Sequence, residues 1–379
     1  MNLTMSSDIL DAQIRIFNFR NLRRLDWQLV VLIFALAGAG ILVHLSANRG
    51  VVTGSPYYLK QMTFFAAGCV LAIVIACLDY RFLISMAPAL YLVIIGLLVA
   101  VLLVGVKVNG ATRWLDLGFI RFQPSEQAKL ALIFALAWYL GKIGPKIQKL
   151  PYFLLTFVIA AVPTLLIRQQ PNLGTAATMA PIVFVMLFVA GCSRRHLIAI
   201  CVTGLACLPI LWSQMSPYQR GRVQTFLNPE ADPMEGGWHV MQSIITVGSG
   251  GMSGKGFQQG TQTYLSYLPE YHTDFIFSQV AEEFGFIGST VVLILFALLF
   301  LRALQFAKES LDMTGALLVS GVVALLSFHV FLNVAITIGM MPVTGLPLPF
   351  LSYGGTFYIT TMMCMGILLS VRARRGMFD

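Results

Sequence analysis

Apolar residues fall in long blocks separated by short polar stretches, and none of the blocks alternates with period two. Ten of them, about 27–46, 59–78, 83–106, 123–140, 151–167, 175–190, 197–213, 274–301, 313–336 and 353–371, have the length expected of membrane spans. About 20 apolar residues in helical rise match the hydrocarbon core of a bilayer. Without strand alternation the spans read as helices rather than a barrel. The pattern therefore predicts an all-α polytopic membrane protein of ten transmembrane helices. It divides the chain into an N-terminal segment 1–26, a helical domain 27–371 and a tail 372–379. The one large connection, about 214–273, separates the seventh and eighth spans and holds an amphipathic stretch at Trp238–Ile245. No internal repeat stands out, so the repeat signature of many transporters is not supported.

Composition fits the pattern. Hydrophobic residues make up 58% and charged residues 11%, with a mean hydropathy of +0.80. A soluble globule cannot hide that much apolar side chain, and a disordered chain would not carry it. A net charge of +9 would point a soluble protein toward nucleic acid. Here its distribution decides instead, and no nucleic-acid partner is expected. If the segment with Arg15, Arg20, Arg23 and Arg24 is cytoplasmic, every second loop follows it. That segment, those loops and the tail then hold 15 of the 25 Lys and Arg, as the positive-inside rule requires. Both termini are then cytoplasmic and 214–273 is outside. The N-terminal segment is polar and amphipathic, with no cleavage pattern before the first span. The six cysteines read as small hydrophobes, not as a disulfide framework.

Charges at membrane depth are expensive and mark function. Glu126 and Lys129, in QPSEQAK, share a helix face at i and i+3. Either they only neutralise one another, or they orient a cavity or a substrate head group. Arg113, in the polar-aromatic stretch GATRWLD, is a candidate phosphate ligand because guanidinium matches phosphate oxygens bidentately. In PEYHTDFIF the large connection re-enters the membrane, and Asp274 falls at the N-terminal end of a long apolar helix. It reads as a carboxylate complementing the helix dipole or as a base at the membrane–water boundary. His272 is a second titrating or interfacial group. Glu282 and Glu283 follow, Glu282 about 12 Å deeper by helical rise, and read as structural or cavity-lining. GSGGMSGKG (248–256) looks like a phosphate loop but fails the Walker pattern at its first glycine and at its Ser/Thr position. It reads as a plain outer loop in which Lys255 could still meet a diphosphate. Arg220 is a further outer cation. In TGLPLPFLSYGG (344–355) two prolines impose extended backbone, Ser352 is a candidate N-cap for the last span, and no chemistry is assigned to the segment. No metal motif appears, and the five histidines are scattered.

Taken together, GATRWLDLG, RFQPSEQAK, QPNLGTA, GSGGMSGKG, LPEYHTDFIF followed by AEEFG, and GLPLPFLSYGG closely resemble the SEDS family of bacterial shape, elongation, division and sporulation proteins. Within it, GTQTYLSYLPE before HTDF, and GLPLPF, point to the elongation branch. The resemblance implies a peptidoglycan glycosyltransferase of the inner membrane, polymerising lipid II into β-1,4 glycan with inversion. It implies that Asp274 is catalytic and that Glu126 and Lys129 are the family's membrane charges; Arg113, Lys255, His272, Arg220 and Ser352, read above from their own chemistry and position, join Glu126 and Lys129 as the candidate substrate-binding or supporting residues. The candidate cofactor is a divalent cation, Mg2+ or Mn2+. The implied partners are lipid II, the nascent glycan, a class B penicillin-binding transpeptidase and proteins of the elongation complex. One departure is visible. Asn172 stands where the family has Asp, and Asn caps a helix about as well, so the position reads as structural. The alternatives are the division branch with the same chemistry, and a lipid II flippase. A flippase needs charges in an alternating-access cavity near the midplane, whereas the polar motifs here cluster at the outer side.

Overall fold

The computed structural model describes residues 25–47, 56–108, 111–116, 118, 121–215, 217–229, 236–264 and 272–375. The N-terminal segment up to residue 24, the PEY before His272 and the last four residues lie outside the described residues. A helix lies on each of the ten predicted spans. These are α1 (Trp27–Ala47), α2 (Tyr57–Cys77), α4 (Ala87–Val104, after the short α3, Tyr80–Ser85), α5 (Pro124–Ile143), α6 (Leu150–Gln169), α7 (Leu173–Val189), α8 (Arg194–Ser213), α12 (Ile276–Lys308), α13 (Met313–Thr337) and α14 (Gly355–Ala373). Eight are long and apolar enough to cross a bilayer: α1, α2, α4, α5, α6, α12, α13 and α14. α7 is apolar but has 17 residues, and α8 opens on Arg194 and Arg195.

Three helices are largely buried and form the centre: α5, α13 and α14. α8 lies at the edge, with Ile198, Val202, Leu205 and Ile210 more than half exposed, as lipid-facing side chains would be. Between α4 and α5 the chain forms a small antiparallel meander, β1 (Val106–Val108), β2 (Ala111–Asp116) and β3 (Arg121–Phe122). Its register pairs Lys107 with Thr112 and Asp116 with Arg121. No strand is expected from the sequence of this polar-aromatic stretch. Its Gly punctuation and short apolar positions carry too little alternation to declare strands.

The connection 214–273 contains α9 (Pro217–Leu227), α10 (Gly236–Ser249) and α11 (Thr261–Tyr264). α10 covers the amphipathic stretch expected at 238–245. Its following glycine-rich tip is no plain loop. Lys255 and Gly256 donate their amides to the carbonyls of Glu282 and Glu283, and the amides of Phe286 and Ile287 donate to Gly251 and Met252. These bonds satisfy backbone groups released where α12 breaks at Gly285 (φ 65°, ψ −163°). Gly285 and Gly254 (φ 79°) meet there back to back, and a Cβ on either would overlap the other strand's backbone.

The break changes the depth of Glu282 and Glu283. The termini of the described chain share one face, and the opposite face is called here the far face. Asp26, at the foot of α1, pairs with Arg302 (2.5 Å), and Ser46, near the far end of α1, donates to Glu283 (2.5 Å). The spanning part of α12 thus begins near Glu283, level with the far end of α1. The expected 12 Å descent from Asp274 to Glu282 is therefore not a descent into the membrane, because the residues before Gly285 do not share the spanning axis.

Candidate active site

Asp274 is half-exposed and sits in the turn 272–275, two residues before α12. Phe275 takes the N-cap position of that helix and its side chain makes no capping bond. The backbone of the turn is held at three consecutive carbonyls. The amide of Tyr353 donates to His272 (2.9 Å), the hydroxyl of Ser352 to Thr273 (2.6 Å) and the amide group of Asn333 to Asp274 (3.0 Å). Ser352 also accepts from the Leu348 amide (2.8 Å), closing its own loop. Gly345 lies beside the carboxylate, where a Cβ would stand 3.5 Å from Asp274 Oδ2. His272 stacks on Tyr57 (centroids 4.6 Å), and Tyr353 meets Tyr57 edge-on at 5.1 Å. An aromatic wall therefore flanks the turn. From α1, His44 Nε2 reaches the Leu351 carbonyl (2.8 Å) and steadies the same loop.

The segment 344–355, expected to carry no chemistry, is thus the clamp of the Asp274 turn. Ser352 is not the N-cap of α14. Gly354 takes that position without a side-chain bond, and the Ser352 hydroxyl is spent on Leu348 and Thr273.

Beneath this clamp lies the buried charge pair. Glu126 and Lys129 form an ion pair at 2.7 Å, and both are buried, Lys129 at 0% exposure. Lys129 Nζ also meets His329 Nε2 (3.1 Å), and His329 Nδ1 meets the Pro347 carbonyl (3.0 Å). The partners fix the tautomer: a carbonyl only accepts and an ammonium only donates, so Nδ1 carries the proton and the ring is neutral. The pair neutralises itself and also touches His329. Through His329 it reaches the loop that holds Asp274.

The other predicted residues are placed elsewhere. Arg113 donates through Nε to the Gln170 carbonyl (3.3 Å) and through Nη2 to that of Pro171, bracing the turn between α6 and α7. Asn172 caps α7 by accepting from the Thr175 amide (3.3 Å), as its reading as structural requires. Lys255 pairs with Glu282 (2.7 Å) and donates to Thr261 (2.9 Å). Arg220 donates to the carbonyls of Trp212 and Ser213 at the end of α8 (3.2 and 2.6 Å). A cation that reaches the loop beside Asp274 is Arg222, whose Nη1 donates to the Val343 carbonyl (2.9 Å), two residues from Gly345. Sequence reasoning passed over Arg222, His329 and Asn333. The last two are polar residues at i and i+4 inside an apolar span, a signal that was available. Among the described residues no three His, Cys, Asp or Glu side chains converge on one point to hold a metal.

A family model described as "Cell cycle protein", spanning FtsW, RodA and SpoVE, matches residues 24–376. The chain belongs to this family. The peptidoglycan glycosyltransferase MrdB of Escherichia coli K12 is 39% identical, over 94% of this chain and 95% of MrdB. Two solved structures are similar along nearly their whole length. The rod shape determining protein RodA of Thermus thermophilus is 33% identical, covering 93% of this chain and 98% of that one, with a TM-score of 0.71. A chain from a structure described as the structural coordination of polymerization and crosslinking by a peptidoglycan synthase complex is 34% identical, covering 93% and 99%, with a TM-score of 0.80. The family, its all-α membrane fold and the SEDS resemblance agree.

Proposed function

We propose that this protein is the elongation-branch peptidoglycan glycosyltransferase of its cell, polymerising lipid II on the outer leaflet of the inner membrane with Asp274 as general base. The observation that carries the reading is a half-exposed carboxylate on a turn clamped at three successive carbonyls, at the far face of a membrane bundle. That face is extracytoplasmic if both termini are cytoplasmic, as the charge distribution favours. A lipid-linked donor keeps its tail in the bilayer and its sugars in water, so the reacting carbon lies at this boundary.

The acceptor hydroxyl oxygen attacks the anomeric carbon of the donor sugar. The bond from that carbon to the diphosphate oxygen breaks, its electron pair leaves with the diphosphate, and Asp274 takes the hydroxyl proton. A positioned base supplies about 10²–10⁴-fold. One displacement inverts the α-linked donor to a β-linked product. Negative charge grows on the diphosphate and calls for a cation near the reacting centre. Arg222, which donates to the Val343 carbonyl in the loop beside Asp274, is the candidate this reading favours for that role. No step is assigned to a metal. The peptidoglycan synthase complex among the similar structures supports a class B penicillin-binding transpeptidase as partner.

The test is chain formation from labelled lipid II by the purified protein, alone and with its transpeptidase. Glycan that disappears with Asp274→Asn, in a variant that still folds and binds its partner, is the expected result. Undiminished polymerisation by that variant would remove Asp274 as base. Transport of lipid II across vesicles without polymer would favour the flippase reading.

A further inference from the structure

We infer that Asn333 is a positioning residue for Asp274, setting the direction of the base rather than touching the reacting sugars; this rests on the proposed role of Asp274. Two of the three groups that hold the turn belong to the loop that follows Gly345. Asn333 alone among the three comes from a spanning helix, α13, in the buried centre, and is itself 0% exposed. Its Nδ2 carries two hydrogens, and the structure gives each an acceptor: the Asp274 carbonyl (3.0 Å) and the Leu346 carbonyl (2.9 Å). Leu346 follows Gly345, the residue beside the Asp274 carboxylate. One amide therefore fixes the backbone that bears the base and the backbone that walls it.

The chemistry restricts what can stand at this position. Both neighbours are carbonyls, which only accept, so the side chain must donate twice. Asn does so without charge. Asp and Leu donate nothing, although Leu nearly keeps the volume, and Ser donates once. Four residues earlier on α13, His329 fixes Pro347 from the same buried centre. The two together pin the loop at successive residues, Leu346 and Pro347. A helix buried in the centre of the bundle thus holds both the turn and the loop beside it.

A shift near 1 Å at a reacting group can remove about 10² in rate, so Asn333→Leu should lower kcat for lipid II polymerisation by about that factor while KM stays within about threefold. Asn333→Ser, with one donor left, should fall between the two and covers the case in which the Leu variant does not fold. A residue that only stabilised the fold would behave differently: turnover per folded molecule would be unchanged and only the melting temperature would drop. Hydrogen exchange gives a reading independent of the chemistry. In the Asn333 variants the amides of 274–278 should exchange faster, with α13 as protected as before. Unchanged exchange there, or normal kcat per folded molecule, overturns the inference. If the unmodified protein makes no glycan, the proposed function fails, and the exchange measurement still decides whether Asn333 holds the turn.

Discussion

Single side chains decide whether this site works. Lys129 is buried against Glu126 on one side and a neutral His329 on the other. Removing one partner of such a pair strands the other charge, at a cost of about 3–5 kcal/mol. Glu126→Gln and Lys129→Met should therefore each lower the melting temperature sharply, together with activity. Exchanging the charges (Glu126→Lys with Lys129→Glu) restores the pair but not the relay. A carboxylate at 129 would face Nε2 of His329, which would have to become a donor while Nδ1 already donates to Pro347. The ring would then have to carry a charge in the interior. The double variant should regain some stability and little turnover, read as melting temperature and polymer per folded molecule. Full recovery of both would mean that His329 transmits nothing. At Ser352 the argument is smaller. Ser352→Ala leaves Thr273 O and the Leu348 amide without a partner they now have, for about 1–3 kcal/mol in a buried setting. Activity should fall further than stability does, because Thr273 adjoins Asp274, the proposed base.

Among the elements, α12 shows what the sequence could and could not declare. Its apolar run announced a helix, and the length was nearly right. The break at Gly285 was not announced, since one glycine within an apolar helix is common and only the tip at 250–256 makes it a joint. Glu282 was read as structural or cavity-lining, and its depth was misjudged because helical rise was taken along a straight axis, whereas the helix breaks at Gly285. The candidate base was legible for a different reason: a carboxylate beside a long apolar run is expensive unless used. Its clamp was not, because Asn333, Ser352 and Tyr353 lie 59 to 79 residues away and act on backbone carbonyls, which leave no trace in side-chain pattern. The joint itself is testable. Gly285→Ala and Gly254→Ala each force a Cβ into left-handed backbone packed against the opposite strand. Strain of that kind costs about 1–3 kcal/mol before any clash is counted. Both variants should melt lower and expose the 250–256 tip to protease, while Gly96→Ala, in open space on α4, should change neither. Equal behaviour of all three would show that the joint is not closed in the membrane.

At the scale of the molecule the questions are orientation and how the helices stay in register. Orientation follows from labelling. With Cys201, exposed on α8, replaced first, a thiol at Ser253→Cys should react from outside intact cells. One at Lys146→Cys, in the exposed turn after α5, should react only after permeabilisation. Reaction of both from one side would overturn the far-face assignment.

Register depends on the near face, where ion pairs tie the feet of three spanning helices. Asp26 binds Arg302 (2.5 Å) and Arg372 (3.6 Å), and Glu309 binds Arg375 (2.5 Å). Burial alone would push the Asp26 carboxyl up. The Arg302 hydrogen bond, the Leu29 amide and the charges of Arg302 and Arg372 outweigh it and hold it below the ordinary 3.8. A carboxylate whose pKa is lowered by folding contributes stability that is fully present above 3.8 and is lost as pH falls through the lower folded value. Asp26→Asn keeps the shape and removes the charge. At pH 6 the variant in detergent should melt below the unmodified protein. The gap should begin to narrow as pH falls below 3.8 and close once pH is below the lower folded value, where both proteins lack the charge. Other carboxylates titrate in the same range in both proteins, so the difference between the two curves is the quantity to read. A gap that holds constant down to the acid end would mean that the tie at the foot of α1 rests on shape and hydrogen bonding rather than on charge.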